Sequence, residues 1–349
     1  MNTLGRYFGV MKGMGVKRLF IMVIICSLAL VGCSETFTSK EQLKERIVEL
    51  EQEIEELERE KEQGDAAEEI IEKGTSTIQL VDPSSKEIIY SFTPKELGYN
   101  TNKNSERYKK EIEQLAKELA RGTDNKRGYD QRMVLDKLNE NGELVKGKPQ
   151  VILKEKELVE KILAASNTGG NVELPIYITE SGYSQTEIAD LDNVVIASYT
   201  TYFNSSDVGR SSNIKLSANA ISHVIVGVED IFSFNITVGP RTKETGYQPA
   251  LEIVNGEFEM GIGGGICQTS STLFNAVDQL GVHYVERHHH SIDIGYVPKG
   301  RDATVSYDSL DFRFQNTTGV PFMIQATTTK DSITIKLTTS EKYADLLKN

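Results

Sequence analysis

The chain has no tryptophan, only three cysteines and only eight prolines in 349 residues. Three cysteines cannot form a disulfide-stapled scaffold, so the fold has to rely on a hydrophobic core. Basic residues are also in deficit, because 39 Lys and Arg face 51 Asp and Glu and give a net charge of −12. This balance argues against nucleic acid as a general partner. Hydrophobic residues make up 38% of the chain, which is enough for one large or two ordinary folded units.

Residues 1–32 are predicted to be a lipoprotein signal peptide. They hold four basic residues and no acid, and an apolar run from Leu19 to Leu30 has the length of a signal-peptide core. The run ends in Leu30-Val31-Gly32-Cys33, which resembles the lipobox of bacterial lipoproteins. We therefore expect Cys33 to carry the lipid and to anchor the protein at the outer face of the plasma membrane. The alternative is an uncleaved anchor helix, and both readings place the rest of the chain outside the cytoplasm.

Residues 33–74 are predicted to form an acidic helical stalk. Positions 41–74 hold 14 acids and 5 bases, and five aliphatic residues between 43 and 57 alternate at steps of four and three. That spacing places Ile at heptad a positions and Leu at d positions, as in a parallel coiled coil. The seam covers less than three heptads, so two readings stay open: a homodimer through residues 43–57, or a single solvated spacer helix.

Residues 75–190 are predicted to form a small α+β module followed by a polar connector. The pattern predicts a hairpin over 76–92, helices over 104–121 and 155–165, a turn at Asn141-Gly142 and a strand over 172–178. The module has no Cys or His, so we expect binding or support there and no chemistry.

The remainder is predicted to be β-rich, with residues 191–340 forming one domain and 341–349 a tail. Short alternating runs predict strands over 194–203, 231–238, 303–307 and 332–338, and two helices are expected over 213–224 and from Cys267 to Leu280. The fold class is therefore α+β. All five histidines and the last cysteine lie in this part, so any active site is expected here.

Cys267 is the most informative residue, because Cys26 leaves with the signal and Cys33 takes the lipid. It follows Gly263-Gly264-Gly265-Ile266 and is predicted to lie in the first turn of a helix. Unpaired amides and the helix dipole favour a thiolate there, and the same amides suit the oxyanion of a tetrahedral intermediate. The alternative is a buried cysteine that acts as a small hydrophobic residue.

A thiolate nucleophile needs a proton carrier, and the segment 284–291 offers one. If it is a strand, His288 and His290 share one face, and His290 is the slightly preferred base. Asp302 is a candidate to orient the imidazole. Arg287 and Arg301 are candidates to clamp substrate carboxylates, with a surface salt bridge as the alternative for Arg301.

A rival interpretation uses the same side chains as metal ligands. Two histidines at i and i+2 plus one cysteine would suit a Zn²⁺ hydrolase with one position open to water. The glycine-rich helix start favours an activated thiolate, so no metal and no cofactor are expected.

Several ordered motifs resemble the VanW-like domain over about residues 195–330. The motifs are Gly263-Gly264-Gly265-Ile266-Cys267-Gln268-x-Ser270-x-Thr272-Leu273, Arg287-His288-x-His290-Ser291, Tyr296-Val297-Pro298 and Gly300-x-Asp302-Ala303-Thr304-Val305. The region before them is similar to the peptidoglycan-binding module that often precedes this domain. His289 stands where Pro or Asn is common, so the resemblance implies no role for it.

The resemblance implies a cysteine L,D-transpeptidase of the cell wall. Cys267 would form a thioester with a peptidoglycan stem peptide, and an amine of a neighbouring stem would complete a 3-3 cross-link. The implied roles are proton transfer by His288 or His290, support by Asp302, and oxyanion or substrate binding by Gly265, Gln268, Ser270, Arg287, Ser291 and Arg301. Two alternatives remain: a non-enzymatic peptidoglycan-binding or glycopeptide-resistance accessory protein, and a thiol or Zn²⁺ hydrolase of stem peptides.

Overall fold

A computed structural model describes residues 48, 50, 52 and 54 and the ranges 77–99, 106–254, 256–307 and 309–347. The chain divides into two compact units, residues 1–74 and 75–349. In the first unit the four described residues are helical and exposed. The predicted signal peptide, Cys33 and the rest of the stalk lie outside the described residues. Among the helices that are described, none has the length and apolar character needed to span a bilayer.

The second unit mixes helices and strands, so the predicted α+β class is confirmed. Its described α-helices are α1 Glu106–Arg121, α2 Glu155–Ala165, α3 Val208–Ile221, α4 Phe234–Val238, α5 Ile266–Val277 and α6 Glu341–Leu346. Short 3₁₀ turns span Pro94–Leu97, Gln185–Asp190 and Asp278–Leu280.

The strands form several small sheets and one larger sheet. The first part of this unit, up to residue 190, contains β1 Ile78–Val81, β2 Ile88–Phe92, β3 Gly122–Thr123, β4 Lys126–Arg127, β5 Lys137–Leu138, β6 Leu144–Val145, β7 Gln150–Leu153, β8 Gly170–Glu173 and β9 Ile176–Thr179. The second, C-terminal part contains β10 Val194–Tyr202, β11 Val224–Val226, β12 Ile231–Ser233, β13 Pro249–Val254, β14 Glu257–Ile262, β15 His283–Glu286, β16 Arg313–Gln315, β17 Phe322–Thr328 and β18 Ser332–Thr339.

The first part builds a core between two helices and a three-stranded sheet. The predicted hairpin is present as β1 and β2, and β8 pairs in parallel with β1. The helix α1 buries Tyr108 and Ile112 against α2, and the Tyr108 hydroxyl hydrogen-bonds Ser166. The predicted strand over 172–178 is interrupted at Leu174-Pro175, because proline has no N–H for a ladder, and β9 pairs with β7 instead.

The second part is organised around α3 and α5, which pack on a six-stranded sheet with the order β10-β18-β17-β11-β5-β6. Nearly every residue of α5 is buried, and its hydroxyls find partners inside the protein. Thr269 bonds Ser217 of α3 at 2.7 Å, and Thr272 bonds Thr201 of β10 at 2.8 Å. These paired hydroxyls let a helix rich in Ser and Thr stand in the core and fix its position between helix and sheet.

The strands β5 and β6 lie before residue 190 but extend the sheet of the C-terminal part. Lys137 pairs with Val224, and Val145 pairs with Lys137 at the sheet edge. The two parts therefore share a sheet. The first part has an apolar core of its own, but its Met133 and Leu135 pack into the core of the C-terminal part. The boundary at residue 190 remains a prediction.

Three local expectations for the C-terminal part differ from the structure. The strand over 231–238 stops at Ser233, whose hydroxyl accepts the amide of Ile236 and starts α4. The segment 303–307 makes isolated bridges and no strand. The helix expected from residue 213 begins at Val208, because Asp207 accepts the amide of Arg210 as an N-cap.

Candidate functional site

The glycine turn before α5 brings the backbone against two neighbouring segments. Gly265 has φ +108, and a Cβ there would lie 2.9 Å from Cγ of Arg210. A Cβ on Gly264 would lie 2.5 Å from the carbonyl oxygen of Leu251. Only glycine fits either position without displacing its neighbour. The turn ends at Ile266, so Cys267 lies in the first turn of the helix, as the sequence predicts.

Cys267 is partly buried and faces three groups. Its Sγ lies 3.6 Å from Oγ1 of Thr304 and 3.5 Å from the carbonyl oxygen of Val305. The imidazole of His290 is the third, and it interacts with the same sulfur. Burial raises the pKa of the Cys267 thiol, but His290, together with Val305 and Thr304, outweighs burial, and the pKa is lowered from its ordinary value. The site therefore favours a thiolate.

His290 is held between the sulfur and Asp302. Its Nδ1 and its backbone N–H both lie 2.7 Å from Oδ2 of Asp302, which leaves Nε2 for the thiol. Burial lowers the pKa of His290, but Cys267 and Asp302 raise it more, so the net pKa is raised. Burial raises the pKa of Asp302, while hydrogen bonds from His289 and His290 lower it below its ordinary value. The three side chains form a Cys267–His290–Asp302 chain, and the directions of these pKa shifts favour its thiolate–imidazolium–carboxylate form.

The other two histidines of the motif face different partners. Nε2 of His288 lies 3.0 Å from Oε1 of Glu286, so this ring belongs to a separate ion-pair group. Nδ1 of His289 lies 2.7 Å from Oδ1 of Asp302, which places it behind the carboxylate and away from the sulfur. Of the two predicted bases, the structure brings only His290 to Cys267.

Cys267 opens onto a cavity of about 700 Å³. The glycine turn forms one wall, the hairpin β13–β14 a second and the segments 293–296 and 304–307 a third. The apolar side chains of Leu251, Ile253 and Phe258 line it from the hairpin. Such a cleft, with a reactive group in its wall, suits an extended ligand.

The predicted oxyanion residues fall into different environments. Gly265 and Gln268 line the cavity, but the Gln268 N–H donates to the carbonyl oxygen of Gly265 at 3.0 Å. The Gln268 side chain is buried and bridges Arg210 and Thr201. Ser270 is buried and donates to the carbonyl oxygens of Cys267 and Ala303. Gln268 and Ser270 thus brace the site through bonds within the protein.

Arg287 and Arg301, the predicted carboxylate clamp, bind partners within the protein. The guanidinium of Arg287 lies 4.1 Å from the Phe274 ring centroid and contacts His289. Arg301 binds Asp278 at 2.7 Å and Asn275 at 2.8 Å, which matches the salt-bridge alternative. Neither arginine lines the cavity, and Ser291 is exposed and does not line it either.

Two other arginines line the cavity and were not singled out from the sequence. Arg210 donates to Gln268 at 2.7 Å and stands over the Tyr296 ring. Arg241 donates to Oδ1 of Asn235 at 2.8 Å. Both stand upstream of the cysteine, in Arg210-Ser211-Ser212-Asn213 and Pro240-Arg241-Thr242, which fit earlier sequence blocks of the VanW-like domain. That fit is the signal that could have found them.

Asn213 braces the floor of the site, and its loss is expected to destabilise the protein. It is fully buried, its Nδ2 donates to the carbonyl oxygens of Gln248 and Gly264, and its Oδ1 accepts the Gln248 amide. Asn213→Ala leaves these groups unpaired, and we expect a loss of about 1–3 kcal/mol in the free energy of unfolding. Denaturant unfolding measures it. The matched control Asn219→Ala, exposed on the same helix, is expected to change stability by less than about 0.5 kcal/mol; equal effects would contradict the bracing role.

The Zn²⁺ interpretation needs several ligand side chains close together, and the part of the chain that the structure describes has no such group. No group of three or more His, Cys, Asp or Glu side chains converges there in a metal-binding arrangement. His288, one of the three expected ligands, pairs with Glu286.

Comparison with known proteins places the site within a recognised domain. A family model described as VanW like protein matches residues 209–338, which include Cys267, His290 and Asp302. The protein YoaR of Bacillus subtilis is 43% identical over 206 residues, which cover 58% of this chain and 68% of YoaR. The vancomycin B-type resistance protein VanW of Enterococcus faecalis is 29% identical over 126 residues, 35% of this chain and 46% of that protein. No solved structure matches the chain. The chain therefore belongs to the VanW-like family, with its VanW domain in the C-terminal part.

Proposed function

We propose that this protein is a membrane-anchored, extracytoplasmic cysteine L,D-transpeptidase that forms 3-3 cross-links in peptidoglycan. The observation that carries the proposal is the arrangement of Cys267 and His290 in the wall of one cleft, with Asp302 bonded to Nδ1 of His290. A relative named for vancomycin resistance supports the broader assignment to a cell-wall or resistance-related role.

The first half-reaction is acylation of Cys267. The thiolate Sγ forms a C–S bond with the carbonyl carbon that precedes the terminal D-Ala of a tetrapeptide stem. The C–N bond to D-Ala breaks, and the proton held on His290 passes to the leaving nitrogen. Asp302 holds Nδ1 of His290, so that Nε2 faces the reacting atoms throughout.

The second half-reaction returns the site to its starting state. The side-chain amine of a neighbouring stem forms a C–N bond with the same carbonyl carbon, and the C–S bond breaks. His290 takes the proton that the amine releases, which restores the thiolate–imidazolium pair. Water in place of the amine would give hydrolysis, since both reactions share the thioester.

The test uses the full-length protein with a purified tetrapeptide muropeptide, with and without an acceptor stem. The proposal predicts a thioester adduct on the Cys267 peptide by mass spectrometry, release of D-Ala and, with acceptor, a 3-3 cross-linked dimer. Tripeptide as the sole product would identify a hydrolase. Absence of both adduct and turnover, with the muropeptide still bound, would leave the wall-binding alternative.

The anchoring proposal makes a separate prediction for Cys33. In a bacterial host fed with labelled fatty acid, the wild-type protein is expected to incorporate the label and to begin at residue 33. Cys33→Ala is expected to lose the label completely, because the acylated sulfur is gone, whereas Cys26→Ala retains it. A full-length, unlabelled wild-type protein would instead indicate an uncleaved anchor helix.

A further inference from the structure

Arg241 is a partly buried cation with unused hydrogen-bonding capacity in the wall of the cleft. Its Nη2 donates to Oδ1 of Asn235 at 2.8 Å. Its Nε and Nη1 are buried and have no hydrogen-bond partner. Buried polar groups are nearly always satisfied in native proteins, so three unpaired N–H groups on one guanidinium require an explanation.

No carboxylate of the described residues forms a salt bridge with this guanidinium. Two aromatic rings flank it, Phe234 at 5.8 Å and Tyr307 at 5.4 Å from Cζ to the ring centroids. The nearby Asp311 already accepts Ser233 and the amides of Asn235 and Phe312. Burial lowers the pKa of Arg241, yet an arginine stays charged at any physiological pH.

The unpaired cation lines the same cavity as the nucleophile. Cβ of Arg241 is 3.3 Å from the position that a Cβ on Gly263 would take, so the base of its side chain packs on the turn that starts α5. Cys267 and Arg241 line the same cavity, and negative charge on the sulfur favours the charged guanidinium. An anionic group of a bound molecule placed next to Cys267 would therefore meet Arg241.

We propose that Arg241 binds the carboxylate of the substrate residue that follows the scissile carbonyl. A guanidinium suits this role because two of its N–H groups can engage one carboxylate in parallel. Asn235 holds the guanidinium from behind, and the Tyr307 ring, which is 45% exposed, has to turn aside to admit the ligand. The substrate class is then a peptide that ends one residue beyond the reacting carbonyl in a free carboxylate; this assignment rests on the proposed acyl transfer at Cys267.

The first test measures carboxylate preference at Cys267 without any peptide turnover. Full-length protein is alkylated with iodoacetate and with the neutral iodoacetamide, at a pH where the thiol is fully ionised, and the rates are read on the Cys267 peptide. The rate with iodoacetate divided by the rate with iodoacetamide reports binding of a carboxylate next to the sulfur. Changes in the reactivity of the thiol affect both rates and cancel in this ratio. Arg241→Gln is expected to lower this ratio about tenfold, which corresponds to about 1.4 kcal/mol.

Controls separate a specific anchor from a general loss of positive charge. Lys243→Gln removes an exposed cation from the same segment outside the cavity, and its ratio is expected to equal that of the wild type. Arg210→Gln removes a cation from the same cavity, and its effect is expected to be smaller than that of Arg241→Gln. Arg241→Lys keeps the charge, and its ratio is expected to lie between those of the wild type and Arg241→Gln. An unchanged ratio in folded Arg241→Gln, or a larger loss in Arg210→Gln, would overturn the proposal.

The second test uses peptides and separates this proposal from the proposed function. Wild-type protein is expected to be acylated at least about tenfold faster by a tetrapeptide stem with a free C-terminal carboxylate than by its C-terminal amide, and Arg241→Gln is expected to lose that preference. A preference retained in Arg241→Gln would reject the anchor while leaving acyl transfer in place. If neither peptide acylates the wild type, the proposed function fails, and the alkylation ratio alone still decides whether Arg241 binds carboxylates.

Discussion

Replacing Cys267 with alanine is expected to abolish thioester formation and to reduce turnover of stem peptides by a factor on the order of 10⁴ to 10⁶. The sulfur is the atom that becomes acylated, and no second thiol is free among the described residues. The fold should tolerate the change, because the hydrogen bonds of the sulfur to Val305 and Thr304 are long, at 3.5 and 3.6 Å. Intact-mass analysis and product chromatography measure the loss, and thermal unfolding checks the fold.

Cys267→Ser supplies the second variant for this prediction. It keeps the size and the hydrogen-bonding ability of the side chain, but a hydroxyl ionises far less readily than a thiol. We expect the serine variant to be nearly as inactive as the alanine variant, although it should bind the muropeptide normally. Turnover at wild-type levels in either variant would reject Cys267 as the nucleophile.

The second large effect is expected for His290→Ala, which should lower the acylation rate by about 10² to 10⁴. Two causes combine. The variant loses the group that carries the proton to the leaving amine, and the thiol loses the partner that lowers its pKa. Since burial remains and raises the pKa of the thiol, less thiolate is present at neutral pH in the variant. Single-turnover acylation followed over a pH series separates the two causes.

His288→Ala and His289→Ala are the matched controls, because they remove imidazoles from the same short segment. His288 contacts Glu286, and His289 contacts the far oxygen of Asp302, so neither touches the sulfur. We expect each to retain acylation within about tenfold of the wild type. A loss in His288→Ala as large as that in His290→Ala would show that the base has been assigned wrongly.

The choice between His288 and His290 could not be made from spacing alone. Strand alternation places both on one face, but β15 ends at Glu286 after an irregular register between Tyr284 and Glu286. Beyond that point Asp302 captures His290 through both its backbone N–H and its ring. The deciding contact comes from a residue 12 positions away, which no local periodicity contains.

The arginines illustrate the same limit. Arg287 and Arg301 stand in the motif segments, but both pack on the ring of Phe274 and take partners there. Arg241 reaches the cleft because it follows the end of α4 at Val238 and because the base of its side chain packs on the glycine turn at Gly263. The local signals were more informative for the turn itself, since consecutive glycines before a helix could be recognised from sequence alone.

The fold was predictable where the pattern was local and regular. The helix over 155–165 and the 3₁₀ end of α5 at Leu280-Gly281 agree with the structure, because capping and periodicity fix them. The hairpin β13–β14, which forms one wall of the cleft, was not expected. A local signal for it exists in the sequence, because Asn255-Gly256, a dipeptide typical of hairpin turns, precedes the alternating run Glu257-Phe258-Glu259-Met260.

The central claim is that Cys267 is held as a thiolate by His290, and its titration tests this most directly. The rate of alkylation of Cys267 by iodoacetamide, followed against pH in the full-length protein, reports the ionised fraction of the thiol. We predict a midpoint below the ordinary thiol value of about 8.5, and a midpoint that moves upward in His290→Ala. A wild-type midpoint at or above the ordinary value, unmoved by that substitution, would contradict the account.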